Sequence, residues 1–475
     1  MAKIVILGAG FSGQTAALYL RKKLKKEHEV IVVNPWPRFT YIPSLVWVGI
    51  GQMEPEQTMF ELAPVLKKKG IKFLQAWARE IHPDEQYVVT EANDGSGEIQ
   101  KIEYDYLINA TGPHLNFEGT EGLGPDNGHS HSICNIHHAK MARDAYLKTV
   151  ERMEKGENVK ILIGTGHGQA TCQGAALEYI TNIHSDLVKR GLRDRAKVMW
   201  ISNEPALGDL GVGGIYAKKY GYIMKSEQFL KSLFAEFGVY HQVQTAVTKV
   251  EAGKAIWENY AGEVGETEFD FAMLIPQFQG TKIKYVNKDG EDITSKLTNP
   301  GGFTLVDGGY GKSWGDIKGS DWPSTYQSPI YSNIFAAGIA FAPPGSISKP
   351  HVTKNGTVIT ATAPRTGMAA GIIGKVVALN VVDMIEGRTP SHQESMTEMP
   401  GACIASLGKS IWNGSAATIL MYPVAPDYDK YPDYGRDLNV CDLEVGLAGA
   451  WIKRSLHTAF SYKMKGNPGW SMIPE

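Results

Sequence analysis

The feature that most limits what this chain can fold into is a glycine-rich turn that occurs twice, each time between an apolar strand and a helix. The first is Lys3-Ile-Val-Ile-Leu-Gly-Ala-Gly-Phe-Ser-Gly13. The second is Val159-Lys-Ile-Leu-Ile-Gly-Thr-Gly-His-Gly-Gln-Ala-Thr-Cys172, the same shape with a cysteine carried into the start of the helix. In the first turn Gly8 allows the tight bend, Gly10 lets backbone approach a pyrophosphate and Gly13 lets helix pack on strand. In the second, Gly164, Gly166 and Gly168 break that spacing. Cys172 then stands at the positive end of a helix, a position expected to lower a thiol's pKa.

Each turn opens a βαβ unit, so the fold class is α/β with two Rossmann-like dinucleotide-binding domains. The chain has 475 residues, too many for one core. Its net charge of -2 gives no global pull toward nucleic acid, and no nucleic-acid partner is expected. The cysteines Cys134, Cys172, Cys403 and Cys441 are too few and too scattered for a secreted disulfide scaffold, and no Cys-x-x-Cys pair occurs. The first strand begins at Lys3, so no signal peptide is expected. No apolar run reads as long enough to cross a bilayer.

Along the chain, helix is expected over 14–26 and strand over 30–33, ending at Asn34, where an acidic residue usually holds a ribose. Residues 104–112 read as a buried strand ending in Thr111-Gly112, and 159–201 as the second βαβ unit. Short strands are expected at 299–307 and 333–339, irregular loops at 308–331 and 342–365, and an apolar helix over 365–384. Composition shifts from about Ser391. The implied division is 1–157 and 298–390 for a discontinuous first domain, 158–297 for the second, and 391–475 for a C-terminal segment.

Taken together these stretches resemble the two-dinucleotide-domain flavoproteins of the disulfide reductase superfamily, and within it the sulfide:quinone oxidoreductases. The resemblance rests on Phe39-Thr-Tyr-Ile-Pro-Ser44, Asn109-Ala-Thr-Gly-Pro113, His131-Ser-Ile-Cys-Asn-Ile-His-His138, Ala170-Thr-Cys-Gln-Gly174, Asn299-Pro-Gly-Gly-Phe303, Asn333-Ile-Phe-Ala-Ala-Gly-Ile339, Ala363-Pro-Arg-Thr-Gly367 and Ala402-Cys-Ile-Ala-Ser406. It implies FAD as cofactor, held by Gly8, Gly10, Phe11, Ser12, Gly13, Asn34, Pro43, Ala78, Thr111, Gly112, Gly302, Gly338, Ile339 and Arg365. It also implies oxidation of sulfide to polysulfide sulfur, with electrons passed to a membrane quinone. Cys172 and Cys403 would then be the redox pair. Cys134 would be an auxiliary thiol, which in some members links to the flavin, and Cys441 a structural one. His138 matches a family histidine near the flavin and quinone, where a neutral imidazole can pass protons as quinone becomes quinol. No metal is implied. His129, His131, Cys134, His137 and His138 fit no tetrahedral spacing.

Two other readings stay open. Glu204 lies where a nicotinamide-binding enzyme wants a carboxylate, which suits an NADH:quinone oxidoreductase. A flavin subunit that docks on another electron carrier is the third. Residues 443–473 mix apolar and cationic groups. Leu447, Trp451, Leu456, Phe460 and Met464 are expected on one helical face, with Lys453, Arg454, Lys463 and Lys465 meeting anionic headgroups, so the segment lies in the bilayer surface as a monotopic anchor. Truncation near Val440 is expected to leave a flavoprotein with weakened membrane binding. A homo-oligomer stays open.

Overall fold

The computed structural model describes residues 1–475. Lys3–Leu7 and Glu29–Val33 are short runs of Val, Ile and Leu, buried nearly throughout, as central strands of parallel sheets must be. They form the middle of an all-parallel five-stranded sheet with Lys72–Leu74 on one side and Tyr106–Asn109 and Ile334–Ala336 on the other. The last strand arrives more than two hundred residues later in the chain. A second parallel sheet runs in the order Val239–Gln242, Ala196–Ile201, Val159–Thr165, Phe271–Ile275. Antiparallel meanders cover Ala76–Glu103 and Thr245–Glu268, and a three-stranded antiparallel sheet (Gly401–Leu407, Ser415–Met421, Asp442–Gly446) precedes the C-terminal helix Leu447–Met464.

Three expectations change. The first helix is Phe11–Lys23, so it begins three residues earlier than its composition suggested. Residues 299–307 form no strand. Asn299-Pro-Gly-Gly302 bends instead, with Gly302 at φ +78° donating to the Asn299 carbonyl, and only isolated bridges remain. Gly367–Ile385 is long and apolar enough to cross a membrane, at a mean hydropathy of 1.8, but two thirds of it is buried inside the protein. It packs on the first helix as core.

The C-terminal helix is tied to the first glycine turn. Gln14 Nε2 donates to the Met464 carbonyl (2.8 Å), Phe11 meets the ring edge of Phe460 at 6.1 Å, and Tyr19 meets Trp470 at 4.9 Å. Phe460, Met464 and Trp470 therefore belong to the main core and not to a lipid face. Lys463 is fully buried, paired with Glu475 at 2.7 Å. Lys453 is also buried, on Glu178 at 2.6 Å. Both were expected among headgroups. Helical periodicity gives two faces but does not say which one the rest of the protein claims. Cutting the chain near Val440 would strip these residues from the core and leave Glu178 buried without its cation, so loss of the fold replaces the expected milder outcome.

Candidate active site

The two glycine turns differ in what lies over them. At the first, a Cβ on Gly10 would meet nothing within 4 Å, and Gly8 is held at φ +98°. The helix that follows has no side-chain cap and no acidic residue in its first turn, which leaves its N–H groups and positive end free for an anion. Asn34 Oδ1 accepts from the Ala9 N–H at 3.0 Å and its Nδ2 donates to the Trp36 carbonyl at 2.7 Å, so this residue shapes the turn as well as bordering it. Thr111 is fixed by Asn109, whose Oδ1 accepts from Thr111 Oγ1 at 2.8 Å, beside Gly112 at φ +75°. Ala78 lies at the bulge of strand Ala76–His82, and Pro43 in the turn Ile42–Ser44.

Gly338 comes so close to Ser12 that a Cβ there would sit 2.7 Å from the Ser12 Cβ. The Ser12 hydroxyl is buried without a partner. From Gly338 a narrow cleft runs past Ile339, Phe341 and Ala363 to Arg365. The Arg365 guanidinium donates to the Ile339 and Phe341 carbonyls (3.3 and 3.1 Å) and stacks over Phe303 at 4.1 Å. Burial lowers its pKa to about 10. An open pyrophosphate turn, an orphaned hydroxyl and an apolar cleft ending in a cation are the features a dinucleotide with an aromatic ring system needs, so the residues present fit FAD.

At the second turn the mouth is filled. A Cβ on Gly166 would strike the Leu123 side chain, and one on Gly168 would strike the Val358 carbonyl. The Thr360 N–H donates to the Gly168 carbonyl at 2.7 Å, which seals the chain over the turn. Glu204 is wholly buried. Its carboxylate accepts from Ser202 Oγ at 2.6 Å and the Leu210 N–H at 2.8 Å, leaving it no ribose to hold. Burial raises its pKa to about 7.

Beyond this plug the turn delivers Cys172 as the N-cap of helix Gln173–Lys189, at φ +64°, a left-handed conformation that a side chain rarely adopts. Cys403 comes from strand Gly401–Leu407, which packs on that helix. A Cβ at Gly174 would stand only 2.7 Å from Cys403 Sγ, so glycine at 174 is what admits the second sulfur. Cys172 lies within the electrostatic reach of both Cys134 and Cys403, and Arg365 faces Cys172. All four cysteines are free thiols.

The helix-end expectation for Cys172 is overturned. Burial first, then neighbouring Cys134, pushes its pKa up to about 12, with Arg365 and Thr171 opposing. Cys403 is also raised to about 12, by burial and then by Glu178, with Lys453 opposing, and Cys134 to about 11 by burial. A helix terminus is worth under one pKa unit at typical sites, whereas full burial moves a group by several.

Sequence reasoning missed what stands behind Cys403. Ser406 Oγ donates to Glu178 Oε1 at 2.7 Å and accepts from Trp47 Nε1 at 3.0 Å, while Asn182 Nδ2 donates to the Ser406 carbonyl. Lys453 closes the network on Glu178. These residues come from four distant parts of the chain, and the one local signal was a buried Glu on the cysteine helix. His138 lies in the first turn of helix Ile136–Glu154, four residues past Cys134. It is buried, its Nε2 bonded to Asp126 Oδ2 at 3.2 Å, and burial lowers its pKa.

A model of the pyridine nucleotide-disulphide oxidoreductase family matches residues 2–166. The sulfide-quinone reductase of Aquifex aeolicus is 31% identical over 433 residues, spanning 90% of this chain and 86% of that protein. The crystal structure of the Aquifex aeolicus sulfide:quinone oxidoreductase superimposes with a TM-score of 0.77 at 28% identity, covering 99% of this chain and 94% of that one. NDH2 from Plasmodium falciparum in complex with NADH shares the fold, with a TM-score of 0.62 at 15% identity over 88% and 89% of the two chains. With an open first turn, a plugged second one and a sulfur cluster between them, this chain belongs to the sulfide:quinone oxidoreductase family.

Proposed function

We propose that this protein oxidises sulfide to polysulfide sulfur at Cys172 and Cys403 and reduces a membrane quinone. The observation that carries the reading is the pairing of a thiol cluster with a filled second turn, which takes away the place a nicotinamide would need. Proteins of this family are FAD flavoproteins, and bound FAD supplies the two-electron relay to quinone.

In the oxidised pair a disulfide joins Cys172 to Cys403. Hydrosulfide attacks Cys172 Sγ; a new S–S bond forms there, the bond to Cys403 breaks, and Cys403 leaves as thiolate. Two electrons and the persulfide proton then depart, and the bridge re-closes one sulfur longer. Per hydrosulfide, one sulfur atom is added to the bridge while one proton and two electrons are released, the electron pair that quinone takes up with two protons. Arg365 beside Cys172 and Lys453 beside Cys403 offset the negative charge that burial otherwise disfavours. Gly174 sets the approach of the two sulfurs. Asp126 holds His138 as a proton carrier next to solvent.

The proposed division of the chain is 1–157 with 298–390, 158–297, and 391–475. Membrane contact is assigned to Ile411, Trp412, Trp451 and Ile452, all exposed, Trp412 at 86%. Trp451 Nε1 donates to the Ile411 carbonyl at 2.7 Å, which joins the loop and the helix start into one apolar face beside exposed Lys409. Steady-state reduction of a soluble quinone analogue tests the reaction: sulfide should drive it and NADH should not. Quinone reduction driven by NADH alone would overturn the reading. Trp412→Ala with Trp451→Ala should weaken vesicle binding while sulfide still reduces the flavin; unchanged binding would send the membrane contact elsewhere.

A further inference from the structure

A second cleft is cationic and is lined by none of the thiols. It has a volume of about 320 Å³ and opens between the first helix, the late helix Gly367–Ile385 and the C-terminal tail. Lys22 and Lys23 enter it from the last turn of the first helix, Lys375 from the late helix, and Ser471 from the tail. None of the three lysines has a carboxylate within ion-pair distance. Lys22 reaches Ser471 Oγ and stands over Trp470 at 5.7 Å; Lys375 stands over Tyr19 at 5.6 Å.

The carboxylates nearby are engaged. Asp383, on the cleft wall, holds Arg388, His392 and Ser391. Glu475 is paired with Lys463 at 2.7 Å. Glu394 senses Lys375 only electrostatically, with no ion pair. The cleft is thus left with three unneutralised ammonium groups on a protein whose net charge is -2. Lys22 and Lys23 are exposed and Lys375 is half-buried, so water screens their mutual repulsion, and an anion that reaches all three gains an attraction no single surface lysine offers. Ammonium groups with freely turning donors, converging from different elements, suit a tetrahedral polyanion.

We propose that this cleft binds a phosphate group. Its volume exceeds that of one phosphate, which leaves room for a lipid headgroup or for a second phosphate of a soluble anion. Ser471 at its rim adjoins Met472, which is 85% exposed. The site does not depend on the sulfide chemistry, and its solution arm does not depend on membrane contact.

The test uses the intact flavoprotein at constant ionic strength with two probes. One is inorganic pyrophosphate, the other vesicles of phosphatidylcholine with and without phosphatidylglycerol. Lys22→Gln, Lys23→Gln and Lys375→Gln are combined in one variant; the control removes the same charge from the exposed residues Lys67, Lys68 and Lys72. Binding should weaken on the order of fivefold per lysine removed from the cleft, with little change in the control. Replacement of the three by Arg should retain binding, and sulfide-dependent flavin reduction should be unaltered throughout. Loss confined to pyrophosphate assigns a soluble ligand, and loss confined to phosphatidylglycerol vesicles assigns a lipid; either supports the site. Equal binding by the Gln variant to both probes, or equal loss in the control, would overturn it. Should the triple variant shed its flavin, Lys23→Gln alone carries the same comparison at smaller amplitude.

Discussion

The two glycine turns of this protein began as the same local solution and ended as opposites. Both follow a buried parallel strand, and both deliver a helix N-terminus. Over the first, at Gly10, there is open space. Over the second, Leu123 and the backbone at Val358 occupy the room a pyrophosphate would take, and the helix begins with a strained cysteine. A strand-turn-helix motif therefore specifies an anion-binding geometry only as far as the rest of the chain leaves it uncovered. The covering residues decide the chemistry.

The largest effect should come from removing the sulfurs at the second turn. Cys172→Ser and Cys403→Ser should each cut sulfide-dependent flavin reduction on the order of 10⁴-fold or more while flavin stays bound, because the two act as one unit; Cys441→Ser should change little. Rapid-mixing absorbance of the flavin reads this, and retained rates in either variant would end the comparison.

Unplugging should cost stability without creating a nicotinamide site. Leu123→Ala removes a buried side chain from its own small core, at about 2–5 kcal/mol. It leaves the Val358 carbonyl in place, so NADH should still fail to reduce the flavin. Denaturant unfolding together with an NADH assay checks both halves.

Glu204 gives the comparison a pH signature. Its folded pKa is raised, from 4.5 to about 7, so the folded state holds the proton where the unfolded chain has lost it. The contribution of Glu204 to stability is then fully present below about pH 4.5 and is lost as pH rises to about 7. The loss is on the order of 3 kcal/mol for a wholly buried group. Asp209, raised to about 6 by burial, adds a loss of the same sign. Glu204→Gln should flatten the decline seen in melting temperatures across that range, and an unchanged slope would place the titration elsewhere.

The smallest effect contrasts two glycines. Gly174→Ala should cost about 1–3 kcal/mol through overlap with Cys403 Sγ and slow sulfide attack. Gly10→Ala should leave stability within about 0.5 kcal/mol, since its Cβ meets no protein atom, yet weaken flavin retention. Calorimetry and flavin content separate the two.

What the sequence disclosed was local: both glycine turns with their strands, the late strand at 334–336 and the cysteines. What it hid depended on distant partners. Leu123 precedes the turn it blocks by some forty residues, and Val358 follows it by nearly two hundred. Lys453 reads as a surface cation until Glu178, 275 residues away, claims it in the interior. The Cys172 pKa was misjudged because helix position is visible in sequence and burial is not.

The central claim is that electrons enter through the thiols at the plugged turn and not through a nicotinamide. Anaerobic mixing of the intact flavoprotein with sulfide, and separately with NADH, while following the visible flavin band, tests it most directly. Sulfide should bleach the band within the turnover time, and NADH at saturating concentration should leave it intact over many turnovers. Bleaching by NADH at a comparable rate would contradict the account.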